Sequence, residues 1–66
     1  MNIVVNGRAF ELADDATAAT AVRLLTSAAS GVAVAVNGEV VRRSVWDSTP
    51  LTDGDQVEVL TAVQGG

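Results

Sequence analysis

Hydrophobic and polar residues alternate with a period of two at the start of the chain. Residues 2–5, Asn2-Ile3-Val4-Val5, read as a strand, and residues 9–12, Ala9-Phe10-Glu11-Leu12, as its return. Between them stands Asn6-Gly7, a dipeptide that accepts the positive φ angles of a type I′ hairpin turn. This register predicts that Met1, Ile3 and Val5 share one face, with Phe10 and Leu12 packed against them. The period then lengthens. Ala18, Ala21, Val22 and Leu25 fall at i, i+3, i+4 and i+7, which makes one apolar stripe on a helix. Thr17 is its N-cap candidate, because a hydroxyl there can accept from an amide of the first turn. Asp14 and Asp15 are expected near the positive end of the helix dipole. Gly31 is placed to close the helix as a left-handed cap. An alanine-rich stripe lets the helix lie close against a sheet.

The period of two returns at residues 32–36, Val32-Ala33-Val34-Ala35-Val36, with valines on one face and alanines on the other. A second Asn-Gly, Asn37-Gly38, marks a second hairpin, with Glu39-Val40-Val41 as its short return. Residues 42–50 show no period and hold the only tryptophan, Trp46, read as a plug beneath an irregular segment. Asp53-Gly54-Asp55 is a tight turn. Residues 56–61 form the last strand, with Val57 and Val59 facing the core and Leu60 and Ala62 on the opposite face. The order is ββαββ. Two hairpins covered by one helix, with first and last strands as parallel central neighbours, make an α+β fold of the β-grasp, ubiquitin-like type. The predicted buried set is Ile3, Val5, Val34, Val36, Val57 and Val59. Residues 1–62 are expected to form this domain and residues 63–66 a flexible tail.

Composition narrows what such a domain can do. With 66 residues the chain makes one domain, and 48% hydrophobic against 18% charged residues is a globular balance. There is no cysteine, histidine, lysine or tyrosine. No side chain can carry a persulfide, and no nucleophile–base pair can be assembled, so the chain reads as a carrier and substrate rather than an enzyme. The eight acidic residues show no ligand spacing for a metal and read as surface. A formal net charge of −4 argues against nucleic acid. No apolar run reaches membrane-spanning length, and no basic region precedes an apolar stretch at the start. The expectation is a cytoplasmic protein, monomeric when free. Arg42 and Arg43 read as a solvated edge.

One candidate chemistry remains, and it belongs to the backbone. The sequence ends Ala62-Val63-Gln64-Gly65-Gly66. Glycines lack a β-carbon, so such an end can thread a narrow slot in another enzyme. A terminal carboxylate is ionised at neutral pH and can attack the α-phosphate of ATP to give an acyl adenylate. The residues singled out are Gly66 as the reacting group and Gly65, Gln64 and Val63 as its recognition tail. Leu60, Ala62 and Val4 are candidates for a docking patch on the open sheet face.

Taken together, the opening strand with Asn-Gly, then GVAVAVNGEVV, Trp46, LTDGDQVEVLTAVQGG and the diglycine end resemble the ThiS family, sulfur carriers of thiamine biosynthesis. The resemblance spans essentially the whole chain. It implies that a ThiF- or MoeB-like enzyme adenylates Gly66 with ATP. Sulfur, usually from a cysteine desulfurase, then replaces AMP to give a thiocarboxylate, and thiazole synthase, ThiG, receives it. The carrier itself binds no cofactor. Two features depart from the family pattern: Ala18 and Ala21 stand where bulkier aliphatics are common, and Arg42-Arg43 where a proline often precedes the arginine. A molybdopterin synthase small subunit, a ubiquitin-like modifier and a non-covalent β-grasp module stay open as alternatives, because fold and tail are shared among the first two and the fold alone by the third.

Overall fold

The computed structural model describes residues 1–27 and 30–61. Five strands and one α-helix follow one another as β1 (Asn2–Val5), β2 (Arg8–Glu11), α1 (Ala18–Leu25), β3 (Val32–Val36), β4 (Glu39–Val41) and β5 (Gln56–Thr61). A 3-10 helix, Arg43–Ser48, lies between β4 and β5. The strands form one mixed sheet in the order β2-β1-β5-β3-β4, with β5 at the centre and parallel to β1. This is the β-grasp arrangement.

Both hairpins turn where the sequence places them. Asn6 and Gly7 have φ of 51° and 79°, Asn37 and Gly38 of 50° and 85°, the left-handed values that a type I′ turn requires. Pairing of Val5 with Arg8 and Ile3 with Phe10 sets the first register, so β2 begins one residue earlier than the alternation suggests. Bonds between Met1 and Leu12, 2.7 and 2.8 Å in the two directions, carry the ladder one pair beyond β1. The helix covers one face. Ala18, Ala19, Ala21 and Val22 pack with Ile3, Val5, Val34, Val57 and Val59 in a core that Trp46 and Leu51 close from the side. Trp46 donates its indole N–H to the Val41 carbonyl at 2.8 Å, so its polar atom is satisfied inside the plug.

Several sequence expectations are corrected. Leu25 is 42% exposed, because the helix ends at that residue. Thr26 is already extended at φ −155° and acts as C-cap. Gly31 does have a positive φ, 73°, but it lies at the entrance to β3, not at the helix end. Val36 is half-buried, because it is the last residue before the hairpin, at the rim of the sheet. Residues 42–50 are not irregular throughout: Ser48 and Thr49 hydroxyls both donate to the Val45 carbonyl and support the 3-10 helix. Asp14 and Asp15 precede the N-cap Thr17, and the first helical turn holds no acid. Asp14 instead faces the N-terminal ammonium at 3.4 Å. The helix start is held by Thr20, whose hydroxyl accepts from the Thr17 amide at 3.0 Å, and by Ala18 N–H donating to the Thr49 carbonyl.

Candidate functional site

Among the described residues, nothing covers the face of the sheet away from the helix. Its register follows from the pairing. Leu60 stands beside Ala33, Glu58 beside Ala35, Ala35 beside Val40, and Val4 beside Gln56 and Ala9. Val59 is 4% exposed and Leu60 70%, so the alternation inferred for β5 holds. Val4 is half-buried next to Leu60 in a depression that Asn6, Gln56 and Glu58 also line. The sequence reading missed Val40, which is 82% exposed at the far end of the same face. Its signal was available: it pairs with Ala35, on the alanine side of β3. Among the described residues, the strands present Glu11 and Glu58 on this face and no arginine. The surface is thus apolar with an acidic component, a chemistry suited to a partner with exposed apolar side chains among cations.

The arginines lie elsewhere. Arg8 faces the helix side with its guanidinium over the Phe10 ring, and Arg43 covers Trp46 in the same way, at 5.7 and 5.8 Å from the ring centres. Arg42 and Arg43 are both exposed, as a charged edge requires. Two acids expected to be plain surface have structural partners. Asp53 accepts from the Asn2 amide at 2.6 Å, and Asp55 accepts from the Thr52 amide and the Asn37 side chain. These bonds lock the turn before β5 onto β1 and onto the turn between β3 and β4. No group of three or more acidic, histidine or cysteine side chains among the described residues could hold a metal. Among the described residues, no helix is long and apolar enough to cross a membrane.

Strand β5 therefore carries both parts of the candidate site. Its outer side chains form the middle of the open face, and its chain direction leads toward the diglycine. Ala62, Val63, Gln64, Gly65 and Gly66 lie outside the described residues. One helix packed on a mixed five-strand sheet in this order defines a class, the ubiquitin-like β-grasp proteins.

The comparisons with known proteins narrow the class. The profile described as ThiS family matches residues 3–66. The Escherichia coli (strain K12) protein named sulfur carrier protein ThiS is 30% identical over 66 residues, covering all of both chains. The crystal structure of the thiamine biosynthesis protein ThiS from Geobacter metallireducens superposes with a TM-score of 0.78 at 36% identity, again over all of both chains. The solution structure of the Geobacter metallireducens protein gives 0.79 at the same identity, covering all of this chain and 88% of that one. The chain belongs to the ThiS family, whose members are sulfur carriers of thiamine biosynthesis.

Proposed function

We propose that this carrier holds its sulfur on Gly66. A carboxylate oxygen of Gly66 attacks the α-phosphate of ATP in a ThiF- or MoeB-like enzyme, and pyrophosphate leaves. The adenylate makes the acyl carbon electrophilic. A persulfide formed by a cysteine desulfurase adds there through its terminal sulfur and AMP departs; a thiol then supplies two electrons, cleaving the resulting acyl disulfide to leave a thiocarboxylate. Thiazole synthase then takes the sulfur. The carrier contributes no acid, base or metal to these steps; ATP is a substrate of the activating enzyme. Its own part is to dock and to present a carbonyl free of side-chain bulk, which Gly65 and Gly66 allow and Val63 and Gln64 guide.

The observation that carries this reading is the family match, which runs through residue 66, together with end-to-end alignment to a named sulfur carrier. It favours the thiamine pathway over the molybdopterin and modifier alternatives. Leu60 and Val4 form the docking surface for the activating enzyme, and Ala62 is assigned to it from the sequence alone. The expected compartment is the cytoplasm, where ATP and the sulfur source are present, and the free carrier is expected to be a monomer. Genetic complementation tests the pathway. A strain lacking its thiamine sulfur carrier should grow without thiazole when this chain is expressed together with its cognate activating enzyme. Restoration of molybdenum-cofactor enzymes instead would redirect the assignment.

A further inference from the structure

The two hairpin turns are chemical twins. Val5-Asn6-Gly7 and Val36-Asn37-Gly38 hold the same residues in the same order, with asparagine φ of 51° and 50°. Asn-Gly is open to a spontaneous reaction, because glycine has no side chain to keep its main-chain nitrogen from the preceding carboxamide. That nitrogen attacks Cγ of the asparagine. The N–Cγ bond forms, the Cγ–Nδ2 bond breaks, and ammonia leaves with the proton of the glycine N–H. Water then opens the cyclic imide. Opening at Cγ leaves aspartate, and opening at the main-chain carbonyl leaves isoaspartate, with one more atom in the backbone. Water is the only co-reactant, and a side chain added at Gly7 or Gly38 would meet nothing within 4 Å, so both turns are open to it.

The fold treats the twins differently. Asn6 is held by the main chain of the central strand: Oδ1 accepts from the Val59 N–H at 2.8 Å, and Nδ2 donates to the Val59 carbonyl at 3.0 Å, both partly buried. Its hairpin has four strand pairs, and the Met1–Leu12 bonds extend the ladder beyond them. Asn37 is held in the open. Its Oδ1 accepts from the Gln56 N–H at 2.9 Å, and its Nδ2 donates to the Asp55 carboxylate at 2.9 Å. Its hairpin has three pairs and returns along the edge strand β4. A carboxamide must leave its partners before Cγ can meet the glycine nitrogen, so the reaction runs through local opening. At Asn37 one of the two partners is a side chain that can rotate away, and the ladder that must fray is short. At Asn6 both bonds are to the backbone of β5.

We propose that Asn37 is a site of spontaneous deamidation in the folded carrier, that Asn6 is its protected counterpart, and that Asp55 senses the product. Conversion of the Asn37 carboxamide to a carboxylate replaces the donor facing Asp55 with a second negative charge, and the pair repels. Asp55 also accepts from the Thr52 amide at 2.7 Å, so the repulsion acts on the turn that leads into β5. Asn37 and Gly38 share a depression with Gln56 and Glu58, so the new charge also adds to the acidic component there.

The test ages the full chain in mildly alkaline buffer, folded and in guanidinium chloride, and then cleaves after arginine. Residues 1–8 carry Asn6 and residues 24–42 carry Asn37, so each site is read separately by mass, as the exchange of an NH2 group for OH. Unfolded, the two sites should react within about twofold of each other; folded, Asn37 should react about tenfold faster, because only the opening of its turn is easy. Equal rates in the folded chain, a faster reaction at Asn6, or a folded Asn37 that stays intact while the unfolded chain is consumed overturns the proposal. Urea denaturation reads the consequence. Asn37→Asp should lower the midpoint. Asn37→Asp/Asp55→Asn should restore it, because the exchanged pair supplies the donor from the other side while residue 55 still accepts from the Thr52 amide. A midpoint unmoved by the single change, or equally low in the double variant, overturns the part given to Asp55.

Discussion

The two faces of the sheet are built from the same strands and differ in almost every physical respect. Under the helix, Ile3, Val5, Val34, Val57 and Val59 are buried against alanines that let the helix approach closely. On the other side, Leu60 and Val40 stand exposed with Ala33 and Glu58 between them. A domain of this size buries only about 60% of its unfolded surface, so its stability is concentrated on the covered face. The open face is correspondingly free to serve contact. The alternation of a single strand, β5, separates the two tasks residue by residue.

The largest effect expected is one that neither face shows. Removal of Gly66 should reduce thiocarboxylate formation to background while the thermal midpoint stays that of the full chain. A matched fall in both would mean that the end of the chain supports the fold. Next comes the covered face. Ile3→Ala deletes a fully buried side chain and should cost about 2–4 kcal/mol, read from urea denaturation. That is a large share of what so small a domain can have. Leu60→Glu should be nearly silent in the same measurement, within about 0.5 kcal/mol. It should instead raise the KM for the activating enzyme about tenfold, equivalent to about 1.4 kcal/mol of lost binding. A destabilisation like that of Ile3→Ala would erase the distinction between the faces.

The smallest effect concerns the N-terminal ammonium, which faces Glu11 at 3.1 Å and Asp14 at 3.4 Å. Its pKa is raised above the usual 8.0, chiefly by the hydrogen bond with Glu11, against a smaller opposing effect of burial. A group whose pKa is higher in the folded state stabilises below its unfolded value and loses that contribution as pH rises through the folded one. The urea midpoint should therefore decline slightly between neutral pH and pH values above 8.0, and the decline should vanish in Glu11→Gln/Asp14→Asn. An unchanged slope in that double variant would assign the decline to another group.

Much of this was legible in the sequence, and the limits have physical causes. Strand alternation and two Asn-Gly turns are local signals, and they gave the ββαββ order, the register of β5 and the exposure of Leu60. The helix stripe marked the right face at Ala18, Ala21 and Val22. It failed at Leu25 because periodicity does not reveal where the chain leaves the helix. The 3-10 helix at Arg43–Ser48 is too short to show a period, and only Trp46 hinted that the segment is anchored. The roles of Asn6, Asn37, Asp53 and Asp55 depend on backbone groups brought to them by folding. Asn6 and Val59 are far apart in the chain, and no local pattern announces their bond. Val40 escaped notice because a three-residue return strand shows too little alternation by itself, and its face follows only once the hairpin register sets it opposite Ala35.

The central claim is that sulfur is carried on the terminal carbonyl of Gly66, and intact-mass analysis addresses it directly. The purified chain, incubated with ATP, its activating enzyme and a sulfur source, should gain the mass difference between sulfur and oxygen. Fragmentation should place the gain on Gly66, and omission of ATP should abolish it. A gain that appears without ATP, or that maps to any other residue, would contradict the account.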